Sequence, residues 1–294
     1  MDAKRKKSGV TLIEMLTVIG IIAILLGLIL PSLSMVRKIA KETKQKAQLT
    51  TIGLALEAFK NDYGDYPPSI GWDYTTSPSG PLDYCGAQKL AEALLGFDLM
   101  GFHPDSQFIS SGANYSSDET NLRERRGPYL ELATTNAFRL GDNSSRSDPY
   151  GLFANTGGLH PDRFVICDVF STKKITLANG ETVKAGAPIL YYRANTSSKS
   201  LAETSEFAGD GIYDYRDNAF LVGLGKIGSG DMHELVNASV FYGDPTAVPP
   251  VIGYIQDPKV TATDWPYRPD SYILISAGAD GEYGTTDDIT NFGN

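Results

Sequence analysis

From Leu12 to Leu33 the chain carries one ionisable side chain, Glu14. An α-helix needs about 20 apolar residues to cross a hydrocarbon core roughly 30 Å thick, so this stretch predicts a membrane helix. A basic leader, Lys4-Arg5-Lys6-Lys7, precedes it and ends in Gly9. An ordinary secretory signal has a shorter apolar core followed by its small-residue cleavage site. Here the glycine comes first, so a cut there removes the charged head and keeps the helix. The basic residues hold the leader in the cytoplasm by the positive-inside rule, which sends the rest of the chain across the membrane. A carboxylate at Glu14 costs roughly 2.5–3.5 kcal/mol within such a helix and calls for a partner or an escape to the headgroups.

With Gly9 ahead of the apolar run and Glu14 just inside it, the segment Lys4–Ser34 resembles the amino terminus of type IV prepilins and of the pseudopilins of type II secretion. The resemblance implies that a prepilin peptidase cuts between Gly9 and Val10 and that the new amine of Val10 is methylated. It gives Glu14 the task of neutralising the Val10 amine of the neighbouring subunit as copies stack. The implied product is a structural subunit of a helical filament, built with other pseudopilins on an inner-membrane secretion platform. The anchor would sit in inner-membrane lipid, the amino terminus cytoplasmic and the head periplasmic. Pro31 lies where those families also carry a proline, and its missing N–H predicts a kink or local melting around Gly27–Pro31.

Helical character resumes beyond the proline. Met35, Ile39, Ala47, Leu49, Ile52, Leu54, Leu56 and Phe59 recur in a mainly 3.6-residue rhythm among Arg37, Lys38, Lys41, Glu42, Lys44 and Lys46. Tyr63-Gly64 and Tyr66-Pro67-Pro68 end it. The expected organisation is a leader over 1–9, a transmembrane and assembly helix over 10–34, the soluble half of the same helix over 35–66, and a head over 67–294. One helix of some fifty residues would run about 75–80 Å.

The 294 residues carry a formal charge of −9, and loss of the leader, with four basic residues and one acidic, takes it to −12. An acidic head argues against nucleic acid as a partner. Cys85 and Cys167 are the only cysteines. Beyond the membrane they could form one disulfide or stay as two buried thiols, and their spacing matches no metal motif. A second helix is expected over Ala87–Leu99. Loop-like, polar chain is expected over 69–85, 101–125 and 139–162. Strands are expected at Phe164–Phe170, Lys174–Leu177, Thr182–Lys184, Ile189–Arg193 and Tyr272–Ser276, with Asn179-Gly180 as a hairpin turn. The fold class is therefore α+β: a long amino-terminal helix packed on a small antiparallel sheet with long loops.

At the far end, Ser276-Ala277-Gly278-Ala279-Asp280-Gly281 leads to Asp287-Asp288. By composition this is either a hairpin with an Asp-Gly turn and solvated acids or a cation loop. It resembles the carboxy-terminal calcium loop of the major pseudopilin, over 276–291. That resemblance implies side-chain ligands from Asp280, Asp287 and Asp288 and backbone carbonyls from Ala277 and Glu282. Hard oxygens in this number suit Ca²⁺ better than Mg²⁺. The loop is not an EF-hand, since Asn291 stands where a bidentate glutamate would be required. The helix exit Asn61-Asp-Tyr-Gly-Asp-Tyr-Pro-Pro68 also resembles the major pseudopilin, whereas the stretch between the two ends is longer than that family needs.

Other patterns are weaker. Gly223-Leu-Gly-Lys-Ile-Gly228 has the dinucleotide spacing but no alternation of strands and helices around it and no acidic residue about 20 positions on. Asp210, Asp214 and Asp217 read as a solvated acidic loop or a further cation site. His103, His160 and His233 are scattered, with no zinc or nucleophile-elbow motif. No constellation supports an enzyme. The alternative to a secretion filament is a surface fibre for adhesion or motility, with the middle region on display.

Overall fold

In a computed structural model of the chain the described residues are 9, 11–72, 83–109, 119–141, 151–170, 173–176, 180–202 and 209–293. Val10, most of the leader, Leu177 and Asn179 lie outside them, as do the side chains of 28–32 and 119–121. Helices are α1 (Leu12–Tyr63), α2 (Gly86–Leu95), α3 (Glu119–Glu124), α4 (Ala219–Val222) and α5 (Ala238–Tyr242). Strands are β1 (Ala137–Gly141), β2 (Gly151–Phe153), β3 (Phe164–Ile166), β4 (Lys173–Thr176), β5 (Thr182–Ala185), β6 (Leu190–Arg193), β7 (Gly243–Asp244), β8 (Val251–Ile252), β9 (Tyr272–Ser276) and β10 (Ile289–Thr290). This is the α+β class expected, a long first helix followed by small, mostly antiparallel sheets.

The chain divides into two compact units, Met1–Thr43 and Lys44–Asn294, with the residues of α1 shared between them. In the first unit the described large apolar side chains of α1 are exposed, from Leu12 at 82% to Ile39 at 50%. The expected melting at Pro31 does not occur: Pro31 forfeits one backbone hydrogen bond, yet the helical backbone continues through it. Among the described residues no helix is long and apolar enough to cross a membrane.

In the second unit the pair β6–β9 forms a wall between two cores. The strands are antiparallel, with Leu190 opposite Ile275 and Arg193 opposite Tyr272, and β10 completes a three-stranded sheet on the other side of β9. Successive side chains on a strand point to opposite faces. Accordingly Ile273, Ile275, Leu190 and Tyr192 enter one core with Val165, Phe241 and Tyr283. Tyr272, Leu274 and Tyr191 enter the other with Leu49, Ile52, Leu56 and Phe59 of α1 and Leu90 and Leu94 of α2. Every residue of β9 is buried, and its nearly continuous apolar composition follows from that.

Helix α2 is short and wholly buried. It approaches β6 so closely that a Cβ on Gly86 would stand 2.4 Å from the Tyr191 carbonyl oxygen. It stops at Leu95, before the expected end at Leu99, because the backbone turns at Gly96 with φ of 91°. A Cβ there would meet the Gly101 carbonyl, so only glycine fits.

Several expectations for the middle of the chain are corrected. Part of the 101–125 stretch is helical, as α3. The 139–162 stretch contributes to β1 and β2, which pair in parallel, while β1 and β3 pair antiparallel. Strand β3 ends at Ile166, short of Phe170, and Cys167 makes only an isolated bridge to Pro188. Among the described residues the strands are spread over four small sheets in place of one. The β4–β5 hairpin is present, with Ile175 opposite Val183.

Leu94 is fully buried against α1 residues in its core. Truncation to alanine should cost about 2–5 kcal/mol of stability, read as a shift in the denaturant midpoint at unchanged slope. A shift under half of that would mean the α1–α2 core collapses around the cavity.

Candidate functional sites at the two ends

The exposed start of α1 closes on itself. Thr11 N donates to Glu14 Oε2 at 2.8 Å, Thr11 Oγ1 donates to the same oxygen at 2.7 Å, and Glu14 N donates to Thr11 Oγ1 at 3.3 Å. This is a reciprocal capping box, threonine at the N-cap and glutamate three residues on. Both bonds to the carboxylate fall on one oxygen, Oε2, and they come from within the same helix. Gly9 is exposed.

The carboxy-terminal loop is closed by the β9–β10 ladder, where Ser276 faces Ile289. Gly278, with φ of 66°, lets the chain turn back under Asp287, whose carbonyl oxygen would lie 2.3 Å from a Cβ at that position. Asp287 Oδ2 accepts from Ala279 N at 2.8 Å and Asp280 N at 3.0 Å, and its Oδ1 accepts from Thr285 Oγ1 at 2.7 Å. Asp280 Oδ1 accepts from Glu282 N at 2.8 Å. Asp288 Oδ2 accepts from Tyr254 Oη at 2.6 Å and Gly284 N at 2.8 Å. Its other oxygen, Oδ1, is buried without a hydrogen-bond partner among the described residues.

Unmet buried acceptors are costly, and the electrostatics show it. Burial, helped by Asp287 and Asp280, pushes the Asp288 carboxyl up to about 7. Burial also raises Asp280. At Asp287 burial acts in the same sense but is outweighed by the donors from Thr285, Asp280 and Ala279, leaving its pKa lowered. The structure thus brings Asp280, Asp287 and Asp288 into one loop. Their oxygens do not all fall within 4.8 Å of one another. Ala277 is buried at the loop entrance, and the Glu282 carbonyl accepts from Thr285 Oγ1 at 3.3 Å.

Two anchors hold the loop to the core. Tyr283 Oη donates to the Pro188 carbonyl, and Tyr283 N donates to His233 Nδ1 at 3.2 Å. Burial lowers the His233 pKa to about 4, so the ring is neutral and its Nδ1 accepts. Beneath the loop, Ser276 Oγ donates to Asp168 Oδ2 at 3.1 Å. Asp168 Oδ1 accepts from Phe170 N and Ala187 N at 3.0 and 3.2 Å. Burial pushes the Asp168 carboxyl up to about 8.

Cys85 and Cys167 are free, buried thiols, the second of the two alternatives open from the sequence. Burial pushes Cys85 up to about 11 and raises Cys167 as well, so neither is a ready nucleophile. Asp214 pairs with Arg216 Nε at 3.0 Å, and Asp217 accepts from Ser69 Oγ and Gly71 N.

Sequence spacing gives no hint of one grouping, His103 with Asp105 and Glu124. The antiparallel bridge Phe102–Arg126 brings its segments together. His103 Nδ1 accepts from Asp105 N at 3.1 Å, which puts the ring proton on Nε2, 3.5 Å from Glu124 Oε2. That is a donor facing an acceptor, the opposite of a lone pair held ready for a metal.

Residues 4–30 match the Prokaryotic N-terminal methylation motif, a prepilin-type amino terminus. Neither the curated proteins nor the solved structures contain a match to the chain. The motif implies a pilin-like subunit that a prepilin peptidase processes and that assembles into a pilin-like filament; its match ends well before the head.

A carboxyl whose folded pKa is raised stabilises the fold fully below the unfolded value near 3.9, and that contribution is lost as pH rises through the folded value. Asp168 and Asp288 are both of this kind. In chelator the melting temperature should therefore fall between about pH 4 and pH 8. Asp168→Asn, which keeps an acceptor for Phe170 and Ala187, should flatten that fall. Parallel pH profiles for the two proteins would remove Asp168 as a source of it.

Proposed function

We propose that the chain is a pseudopilin of a type II secretion filament, a structural subunit and not an enzyme. The observation that carries the reading is the prepilin-type motif over residues 4–30. The secretion assignment within the pilin-like group draws on the Tyr66-Pro67 helix exit and on the carboxy-terminal acidic loop, both similar to the major pseudopilin. After cleavage between Gly9 and Val10 and methylation of Val10, the head lies in the periplasm and α1 anchors in the inner membrane through its apolar first half. Glu14 then exchanges part of its capping bonds with Thr11 for the amine of the neighbouring copy's Val10. The filament, resting on its membrane platform, would drive folded cargo outward.

Calcium belongs to this reading. Asp280, Asp287 and Asp288, with the carbonyls of Ala277 and Glu282, would hold it. The donor set is all hard oxygen, and Asp288 Oδ1 is a buried acceptor that lacks a partner among the described residues. A bound Ca²⁺ supplies the positive charge that the crowded carboxyls lack. Binding needs Asp288 ionised, so it should strengthen as pH rises through about 7.

Two measurements test the reading. Ca²⁺ at a hundred times its dissociation constant should stabilise the protein by about 2.7 kcal/mol. Asp288→Asn, which retains an acceptor for Tyr254 and Gly284, should lose most of that gain while melting near the wild type in chelator. An equal calcium shift in both proteins would sink the site. For the filament, deletion of the gene should strip exported proteins from the medium and pile them up in the periplasm. An unchanged secretome, with extended surface fibres containing the protein, would assign it to adhesion or motility.

A further inference from the structure

Between Glu14 and Glu57 the chain holds one acidic residue, Glu42, set among Arg37, Lys38, Lys41, Lys44 and Lys46. All five basic residues are exposed on α1. Within one copy Lys38 Nζ lies 3.9 Å from Glu42 Oε1, with side-chain exposures of 60% and 38%. An exposed pair at that distance adds little to a single helix. Side by side, however, parallel copies would bring their basic segments together and repel one another. The lone acid therefore matters most between copies.

The spacing supports this. If Glu14 meets the Val10 amine of the next copy, residue n of one helix lies beside residue n−4 of the other, an offset of about 6 Å at 1.5 Å per residue. The same offset sets Glu42 beside the Lys38 of the next copy. At 100° per residue Glu42 lies within about a quarter-turn of Glu14, whereas Arg37, Lys41 and Lys44 lie more than a quarter-turn from Glu42. Lys38 is turned from Val10 by the same angle as Glu42 from Glu14, so the second pair keeps the mutual geometry of the first while those three cations turn away. Lys46 shares the face with Glu42, and the same offset sets it beside the Glu42 of the next copy, where it adds to the attraction.

We propose, resting on the filament reading above, that Lys38 and Glu42 form a second register lock between copies of this chain: Glu42 of each subunit pairs with Lys38 of its neighbour at the offset that joins Glu14 to the Val10 amine. The partner is a second copy, chosen by charge complementarity at matched spacing. The bond made within one helix in the free subunit is exchanged for the same bond across two helices in the filament.

Trans-complementation tests it with the full-length chain, co-expressed with its prepilin peptidase, and filaments counted by electron microscopy. K38E alone and E42K alone should each lose filaments, because each sets like charges across the interface. Expressed together they should recover them, since alternating K38E and E42K copies place opposite charges at positions 38 and 42 across every contact. A pair that acts only within a helix is like-charged in both variants, so mixing would restore nothing and the lock would be overturned. Normal assembly of both single variants would overturn it too. Loss with K38E but not with E42K would also overturn it, and would assign the basic face to anionic lipid headgroups. The parent reading has its own control: wild type without filaments, or Glu14→Ala assembling like wild type, would refute the Glu14 register itself and the lock with it.

Discussion

Everything in the head depends on the pairing of Tyr272–Ser276 with Leu190–Arg193. Because both faces of that pair are buried, each strand feeds two cores at once. A one-residue slip would send Ile273 and Ile275 toward α1 and turn Tyr272 and Leu274 into the other core. The register is pinned from outside the ladder as well: Tyr191 Oη donates to the Pro67 carbonyl at 2.6 Å, and Leu274 N donates to Asn291 Oδ1 at 2.8 Å. The first bond ties the sheet to the exit of the long helix, the second to the end of the acidic loop. One pair of strands therefore links the helix exit to the candidate cation site.

That linkage gives the buried acids a physical role. Asp168 is joined to β9 through Ser276, and Asp288 is held from beyond the loop by Tyr254. Both are pushed toward neutrality by burial, and the nearby Asp288 adds to the rise at Asp168. The loop itself folds on backbone donors, with Asp287 as their common acceptor. Its shape is thus set by bonds within the chain.

How much of this can be read from residues alone follows from where each signal resides. Strand β9 is legible to the residue because an apolar run sits between Asp270 and a glycine turn. Helix α1 announces itself by its length and rhythm, and α2 by its helix formers, although its end depends on contact between Gly96 and Gly101. Strands β1 and β2 are not legible. Both are short and interrupted by residues of low strand preference such as Gly141 and Gly151, and β1 is held between β2 and β3. At Pro31 local chemistry allows a kink or local melting, and the helix does not melt there because it tolerates one lost hydrogen bond. At the candidate site the three acids stand out by pattern, but the unmet oxygen of Asp288 and the support from Asp168, far away in the chain, are tertiary facts.

The two ends of α1's first unit obey one rule. Thr11 with Glu14, and Lys38 with Glu42, are each satisfied inside a single helix by residues three or four apart. The exposed Lys38–Glu42 pair in particular is worth little in water and is easily given up. On the proposed reading, a subunit that first stands alone and then polymerises would gain from this arrangement, because the groups it would use between copies are held only weakly within one helix. The strong, desolvated contacts are kept instead in the head, around β6 and β9, where nothing has to exchange. On the proposed reading the first part of α1 would carry the assembly, while the two cores flanking β6 and β9, one of them built in part from the later residues of α1, carry the stability of the head.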